Sequence, residues 1–565
     1  MPIHFFTKKE LNVEKLRLTT DAFFKMPNLR LLHIDCPSIY RLSGGIEWEH
    51  CLEDPILIFK NLVWLHWKGF PLKYIPNNFH LGNLVILDMQ ESPNLNEVWK
   101  GTKYLLKLKV LNLSYCEWLV RTPNLSGLPN LEKLILNNCY YLFEVDASIG
   151  HLSKLVELDL SYCRSLRYLS SGISKLVSLE KLYISDCGFQ KLPEEIGKLT
   201  HLTELCAHGT GFGEVPSSLG FLKNLTIFKY SPFPGKITTP ESAAILSASL
   251  YGLCSLKYLD LGHCNLTDDD LPDDIWKSCS LKFLRLFYNN YLTRTPSSIC
   301  GQFSELETLS LVGCKSLQSV SMLPSSLRSL DASNCQSLER LPNLSNLKHL
   351  KKLSLSLCQK LNEIEGLEGL ESVEIIKLDG CYNLRSFAED TMFQVISKDF
   401  RNRNICDIYF PRIKIWERCD IQKKILSASC EVARMLPNME FQGVAICIVC
   451  VPYKIFHSVP AMVIVHNQSK NYTWNHEAEQ VFDYREDLIW MIKISHCVWK
   501  SIAEHGDIIN VSVKIEHSCT QVEIGVHLFF ALQGKVSHYW DSGPLELDLW
   551  HYGQPWQSTP FTITA

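Results

Sequence analysis

One pattern, LxxLxLxx, returns along most of this chain and leaves few choices of fold. It opens at Leu62, Leu84, Leu108, Leu131, Leu155, Leu179, Leu202, Leu225, Leu256, Leu281, Leu306, Leu327, Leu350 and Val373. Most intervals are 21 to 25 residues, with a longer one after Leu225. A further opening at Leu29 is separated from Leu62 by an irregular insert. In "LVELDLSYC" (155–163), Leu155, Leu158 and Leu160 supply the inward side chains. Leu158 and Leu160 stand two apart and so share one face of a short strand. The second half, "RSLRYLSSGISKL", returns the chain over the outer side with Leu166, Leu169, Ile173 and Leu176. A unit this short cannot close a core alone, but stacked neighbours cover one another.

The ninth residue of many units is cysteine: Cys116, Cys139, Cys163, Cys187, Cys264, Cys314, Cys335, Cys358 and Cys381. Where the chain leaves the strand and turns, backbone groups lose their strand partners, and leaving them buried and unpaired is costly. Asparagine often fills this slot, and a small thiol with a weak S–H donor can replace it. The spacing therefore reads as a structural ladder rather than a metal site or a disulfide framework. Self-similarity at this period marks leucine-rich repeats, an α/β solenoid with a curved parallel sheet on its concave face.

Composition narrows the class further. A chain of 565 residues exceeds one core and implies several domains or an array. Its 56 basic and 60 acidic residues give a net charge of −4, with no clustered basic face calling for nucleic acid. The opening "MPIHFFTKKE" lacks the apolar run of a secretory signal. The most apolar short stretch, "GVAICIVCVPY" (443–453), is far below the roughly 18 residues of a membrane helix. The 22 cysteines sit in a large leucine-rich chain, which favours a reduced compartment over a secreted disulfide scaffold. No GxxxxGK[ST], HExxH or GxSxG occurs. Cys447 and Cys450 form a CxxC with no second pair at zinc-ribbon spacing, and read as strand residues. The expectation is a non-enzymatic protein with no cofactor, no metal and no membrane span.

Long stretches resemble a known family. "LVWLHWKGFPLKYIPNNF" (62–79), "NEVWKGTKYLLKLKVLNLSYCEWLVRTPNLSGLPNLEKLILNNC" (96–139) and "LPSSLRSLDASNCQSLERLPNLS" (323–345) are similar to the repeats of plant TIR-NB-LRR immune receptors. So is "EIEGLEGLESVEIIKLDGC" (363–381), while "TTDAFFKMPNLRLL" (19–32) resembles the passage from nucleotide-binding module to repeats. The phosphate loop and the TIR domain of that family find no counterpart, so the resemblance covers its sensor half.

After Cys381 the period stops, and β-rich runs follow, such as "QGVAICIVCVPYK" (442–454) and "DIINVSVKIEH" (507–517). Ile508, Val511, Val513 and Ile515 are the apolar set of the latter. Short strands with polar connections predict an antiparallel β-sandwich. "FQGVAICIVC" and "GDIINVSVKIEHSCTQVEIGVHLFF" resemble the post-LRR jelly-roll/Ig-like domain (C-JID) of the same receptors, and "FPRIKIWERCD" (410–420) echoes its opening. The expected organisation is a remnant of the junction and N-terminal cap over 1–24 and about 15 repeat units over 25–390. A connecting segment and candidate start of the next domain over 391–425, a C-JID-like sandwich over 426–545 and a tail over 546–565 complete it.

Binding residues are expected on the strand face opposite the leucines, two, four and six places after each opening. These are Trp64, His66 and Lys68; Lys181 and Tyr183; Glu204 and His208; Tyr258 and Asp260; and Phe283, Arg285 and Phe287 with Tyr288 beside them. Aromatic and arginine side chains anchor protein interfaces, although aromatics on such a face also pack on neighbouring strands. The resemblance implies a pathogen effector or guarded host protein as partner. A separate nucleotide-binding/TIR chain would be a second partner, and the location cytoplasmic or nuclear. The alternative is a substrate adaptor or scaffold in another complex.

Overall fold

The structure, a computed structural model, describes residues 3–6, 28–35, 61–76, 79–233, 240–271, 280–296, 299, 304–386, 405–411, 421–423, 427–431, 439–451, 461–477, 488–503, 507–515 and 521–532. Two compact units divide the chain, Met1–Asn289 and Asn290–Ala565. In the first, strands run in order β1 (Ile3–Phe6), β2 (Leu31–Asp35), β3 (Trp64–Lys68), β4 (Ile86–Asp88), β5 (Val110–Asn112), β6 (Lys133–Ile135), β7 (Glu157–Asp159), β8 (Lys181–Tyr183), β9 (Glu204–Thr210), β10 (Ile227–Pro232), β11 (Tyr258–Asp260) and β12 (Phe283–Arg285). Each pairs in parallel with the next. Register aligns the repeated leucine across strands, as in Leu111↔Leu134↔Leu158↔Leu182↔Leu205.

The repeat's leucines make the core. Leu155, Leu158, Leu160, Leu166 and Leu176 are all fully buried, each contributing about 1.5–3 kcal/mol. The chain leaves each strand through one backbone device. The eighth residue of the unit takes positive φ, as at Tyr115 (59°), Asn138 (63°), Tyr162 (64°) and Asp186 (54°). Its N–H then donates to the following unit, Tyr115 to Asn137 O at 2.8 Å and Tyr162 to Ser185 O at 2.7 Å.

The cysteine comes next, and its thiol donates backward. Cys116 reaches Met89 O at 3.3 Å, Cys139 Leu113 O at 3.2 Å, Cys163 Leu136 O at 3.2 Å and Cys187 Leu160 O at 3.0 Å. Cys264 reaches Tyr230 O at the longer distance of 3.8 Å. Where the slot is not cysteine, Asn289 serves by donating its amide to Leu261 O of the preceding unit at 2.8 Å, whereas the Ser92 hydroxyl turns onto Met89 O of its own unit at 2.6 Å. All ladder cysteines are buried and free. Burial pushes the Cys116 and Cys163 thiols up to about 12, so they stay protonated donors at neutral pH.

The outer halves differ from the expected α/β alternation. They carry short 3-10 helices, including Ala147–His151, Ser171–Lys175, Glu194–Lys198 and Ser217–Phe221. Units of this length spend much of themselves on strand and turn, which leaves room for about one tight helical turn. A longer helix, α1 (Pro240–Leu250), occurs where the interval after Leu225 is extended.

In the second unit, β13 (Thr308–Ser310), β14 (Ser329–Asp331), β15 (Lys352–Ser354), β16 (Ile375–Lys377) and β17 (Ile405–Pro411) are parallel. The ladder continues with Cys335 to Leu311 O and Cys358 to Ala332 O at 3.1 Å, and Cys381 to Leu355 O at 3.0 Å. The segment 391–425, expected to connect and to open the next domain, contains β17, which pairs with β16 of the repeat sheet on one side and with β23 (Leu488–Ser495) on the other. The strands after it are β18 (Ile421–Lys423), β19 (Ser427–Glu431), β20 (Met439–Val451), β21 (Ala461–Asn467), β22 (Tyr472–Glu477), β23 (Leu488–Ser495), β24 (Ile508–Ile515) and β25 (Gln521–Leu532). A short helix, α2 (His496–Ile502), follows β23.

Two antiparallel arrays result, β17-β23-β20-β25-β18 and β19-β24-β21-β22. They meet at Asp407 of β17, whose carboxylate is 2.9 Å from His476 Nε2 of β22 and accepts the Trp490 indole N–H at 3.2 Å. Val511 of the expected apolar set is buried. The side chains of Ile508, Val513, Ile515, Cys447 and Cys450, the tail 546–565, and residues 1–24 apart from β1 lie outside the described residues.

Candidate protein-binding surface

Every strand-face residue singled out above lies in the first unit, and the structure gathers them into three groups. At β3, the Trp64, His66 and Lys68 side chains are partly covered by neighbours. His66 Nδ1 is 3.0 Å from Asp88 Oδ2, and the His33 ring lies edge-on to His66 at 4.3 Å. Lys68 pairs with Glu91 at 2.8 Å, a bond that raises its pKa. In the middle group Lys181 and Glu204 stand side by side in register. Tyr183 is hydrogen-bonded to Glu204, and burial first, then that carboxylate, pushes its phenol up.

The third group is built on longer strands. β9 has seven residues and β10 six, against three in β11 and β12. β9 can run on because Gly209 takes φ +58°, where a Cβ would lie 2.5 Å from Asp186 Oδ1. His208 is thereby held on the sheet beside Ser231 of β10. Tyr258 and Phe283 are paired in register, their rings stacked at 5.5 Å. Phe287 lies over the backbone of Gly262, where a Cβ would come within 2.1 Å of the ring. His263 stacks on Tyr288 at 4.7 Å and meets Phe287 edge-on at 5.5 Å.

Asp260 departs from the expectation of an outward residue: it is 0% exposed. Arg285 Nη1 lies 3.2 Å from its Oδ2 and His208 Nε2 3.7 Å away, while the Gly262 N–H donates to Oδ1 at 3.3 Å. Burial raises its pKa to about 6, against the lowering pull of Arg285. Burial likewise lowers His208 to about 4, helped by the Lys229 and Arg285 charges, so this imidazole is neutral at pH 7. Lys229, absent from the expected set, places its ammonium 4.9 Å from the Tyr258 ring centre. It stands four places after Leu225, where the same count would have found it. Phe228 and Tyr230 replace the usual leucines there and mask the pattern.

The surface is therefore aromatic and cationic over a buried carboxylate. Phe283 and Tyr288 are each 36% exposed and the Arg285 side chain 43%. Among the described residues no group of three or more His, Cys, Asp or Glu is placed to hold a metal, and no helix is long and apolar enough to cross a membrane.

A family model described as Leucine Rich Repeat matches residues 178–199 and 255–278, which flank and enter this surface. TMV resistance protein N of Nicotiana glutinosa is 30% identical over 46% of this chain and 28% of its own length. Disease resistance protein RML1A of Arabidopsis thaliana is 35% identical over 31% of this chain and 17% of its own. Disease resistance-like protein DSC1 of Arabidopsis thaliana is 31% identical over 57% of this chain and 31% of its own. The chain thus spans less than a third of the length of these relatives. A solved structure of a TDR receptor aligns with 56% of this chain and 68% of that one, at 20% identity and a TM-score of 0.35. This chain carries leucine-rich repeats and is homologous, over part of its length, to plant disease-resistance proteins.

Proposed function

We propose that this chain is the recognition portion of a plant intracellular immune receptor. It works without catalysis, by binding a pathogen effector or a guarded host protein through the strand face of its repeats. The observation that carries this reading is the third group. Phe283, Tyr288 and Arg285 stand outward, with Phe287 half-buried beside them, over a sheet whose leucines are fully buried. Aromatic and arginine side chains of this kind dominate the energetics of protein interfaces. A partner must cover about 800 Å² on each side, so several adjacent repeats would share the contact.

The two antiparallel arrays of the second unit, joined at Asp407, support a jelly-roll/Ig-like C-JID, to which the reading assigns a share in recognition. In such a receptor the bound protein acts through its unequal affinity for the resting and active states. A nucleotide-binding/TIR chain is the signalling partner on this reading, and the location is cytoplasmic or nuclear.

The test screens the purified chain against a panel of pathogen effector proteins, then measures a hit against Phe283→Ala, Arg285→Ala and Phe287→Ala. Each is expected to weaken binding by about tenfold or more. Phe283→Ala should leave the melting temperature nearly unchanged, whereas Arg285→Ala, which strips the buried Asp260 carboxylate of its cation, should lower it and is paired with Asp260→Asn. Unchanged affinity in all three would move the site elsewhere.

A further inference from the structure

Lys229, Asp260 and Arg285 stand side by side on β10, β11 and β12 in one register. Asp260 is closed to solvent, so its role toward a partner is indirect: at 3.2 Å it fixes where the Arg285 guanidinium lies. The Tyr258 hydroxyl, 3.4 Å from Arg285 Nη1, holds the same group from a second side. A guanidinium has five N–H donors in a rigid fork, and the Arg285 side chain presents it to solvent, being 43% exposed. Lys229 adds a second cation over the Tyr258 ring. The other titratable groups facing this point do not cancel the charge. His208 is held neutral by burial and by these two cations. Glu204, on β9, stands beside Lys181 in register, and that ammonium offsets its charge. Two cations against one buried carboxylate leave a single positive charge, bordered by the stacked Tyr258 and Phe283 rings on one side and Phe287 on the other.

We propose that this patch receives the carboxylate of one Asp or Glu side chain of a protein partner, with the adjoining apolar side chain of that partner laid on the Tyr258–Phe283 rings. The inference rests on the reading of the strand face as a protein-binding surface and names what that surface selects. The guanidinium fork matches a carboxylate in shape as well as charge. One excess positive charge suits a monoanion, whereas a phosphate dianion would set its second charge against Asp260. The flanking rings give the patch little to offer a fully hydrated anion, so the acidic residue must come with apolar neighbours. Asp260 acts as a positioning residue for Arg285.

A random peptide library displayed on phage is selected against the full chain and, in parallel, against the Arg285→Gln and Phe283→Ala chains. The expected winners on the natural chain carry Asp or Glu beside Leu, Ile, Val or an aromatic residue. A synthetic winner should lose about tenfold in affinity when its acid is changed to the amide, and should lose that preference on Arg285→Gln. Because Arg285→Gln leaves Asp260 without its cation, the pair Asp260→Asn with Arg285→Gln is measured as well. It removes both charges together, and loss of acid preference at an unchanged melting temperature supports the inference. Winners indifferent to charge but lost on Phe283→Ala overturn the carboxylate and leave the binding surface standing. A phosphoserine version of the winner that binds more tightly than the acidic one also overturns it. Winners that bind all the chains alike overturn both the inference and the reading beneath it.

Discussion

Cys163 shows how much a single slot can do. Its thiol is fully buried and donates to Leu136 O at 3.2 Å, while Leu160 beside it only packs. Cys163→Ser keeps a small donor and should cost about 1 kcal/mol. Cys163→Val removes the donor and strands a buried carbonyl, for about 1–3 kcal/mol. Leu160→Ala should cost roughly 2–5 kcal/mol through the cavity it leaves. Urea melts of the three variants check that order, and equal shifts would show that the leucines do not dominate. At Asp260 and His208 the residue-scale consequence is a pair of opposed pH dependences. The raised Asp260 pKa gives stability present below its unfolded value near 3.8 and lost as pH rises through about 6. The lowered His208 pKa gives stability present above 6.5 and lost as pH falls through about 4. The two slopes oppose each other between roughly pH 4 and 6. His208→Gln should therefore become more stable on acidification across that window, and Asp260→Asn less so, as melting temperatures at stepped pH would show.

Among elements, the pair β11–β12 depends on one missing side chain. Gly262→Ala would place a methyl within 2.1 Å of the Phe287 ring, and the ring must swing away. The expected result is a loss of about 1–3 kcal/mol that Phe287→Ala largely rescues in the double variant. A cycle with additive losses would contradict the contact. At this scale the sequence is readable in part. Leu158 and Cys163 could be placed from spacing alone, because stacking forces every unit to repeat the same inward set. The eighth residue could not: Tyr162, Asn138, Asp186, His263 and Leu357 share the positive φ but no chemistry, so the hydrogen bonds to the neighbouring turn choose the backbone there. Asp260 has the same place in its unit as Lys229 and Arg285. Its burial is decided by side chains arriving from strands more than twenty residues away, and no local pattern records that. The 3-10 helices of the outer side were likewise hidden, since the leucine spacing alone does not tell one tight turn from a longer helix.

For the whole molecule, repetition makes length adjustable. Deleting residues 131–154 joins Asn130 to Leu155 and offers the Cys163 thiol the Leu113 carbonyl that Cys139 now holds. The shortened chain should fold cooperatively with a lower melting temperature and a smaller urea m-value, because less surface is exposed on unfolding. A molten or aggregated product would mean that the units are less equivalent than their hydrogen bonds indicate.

The thiol row also has a direction. Each ladder thiol described above reaches toward the amino terminus, from Cys116 to Met89, from Cys139 to Leu113, and so on. On a ribosome the acceptor carbonyl therefore emerges first, and the thiol that occupies it arrives about one repeat later. A nascent chain can add units in the order they are translated, each new thiol closing onto a turn already made. At the growing end the ladder thus leaves an uncapped carbonyl rather than an unpaired thiol, while the backbone N–H of the eighth residue waits for the next unit's carbonyl and is satisfied by water until it arrives.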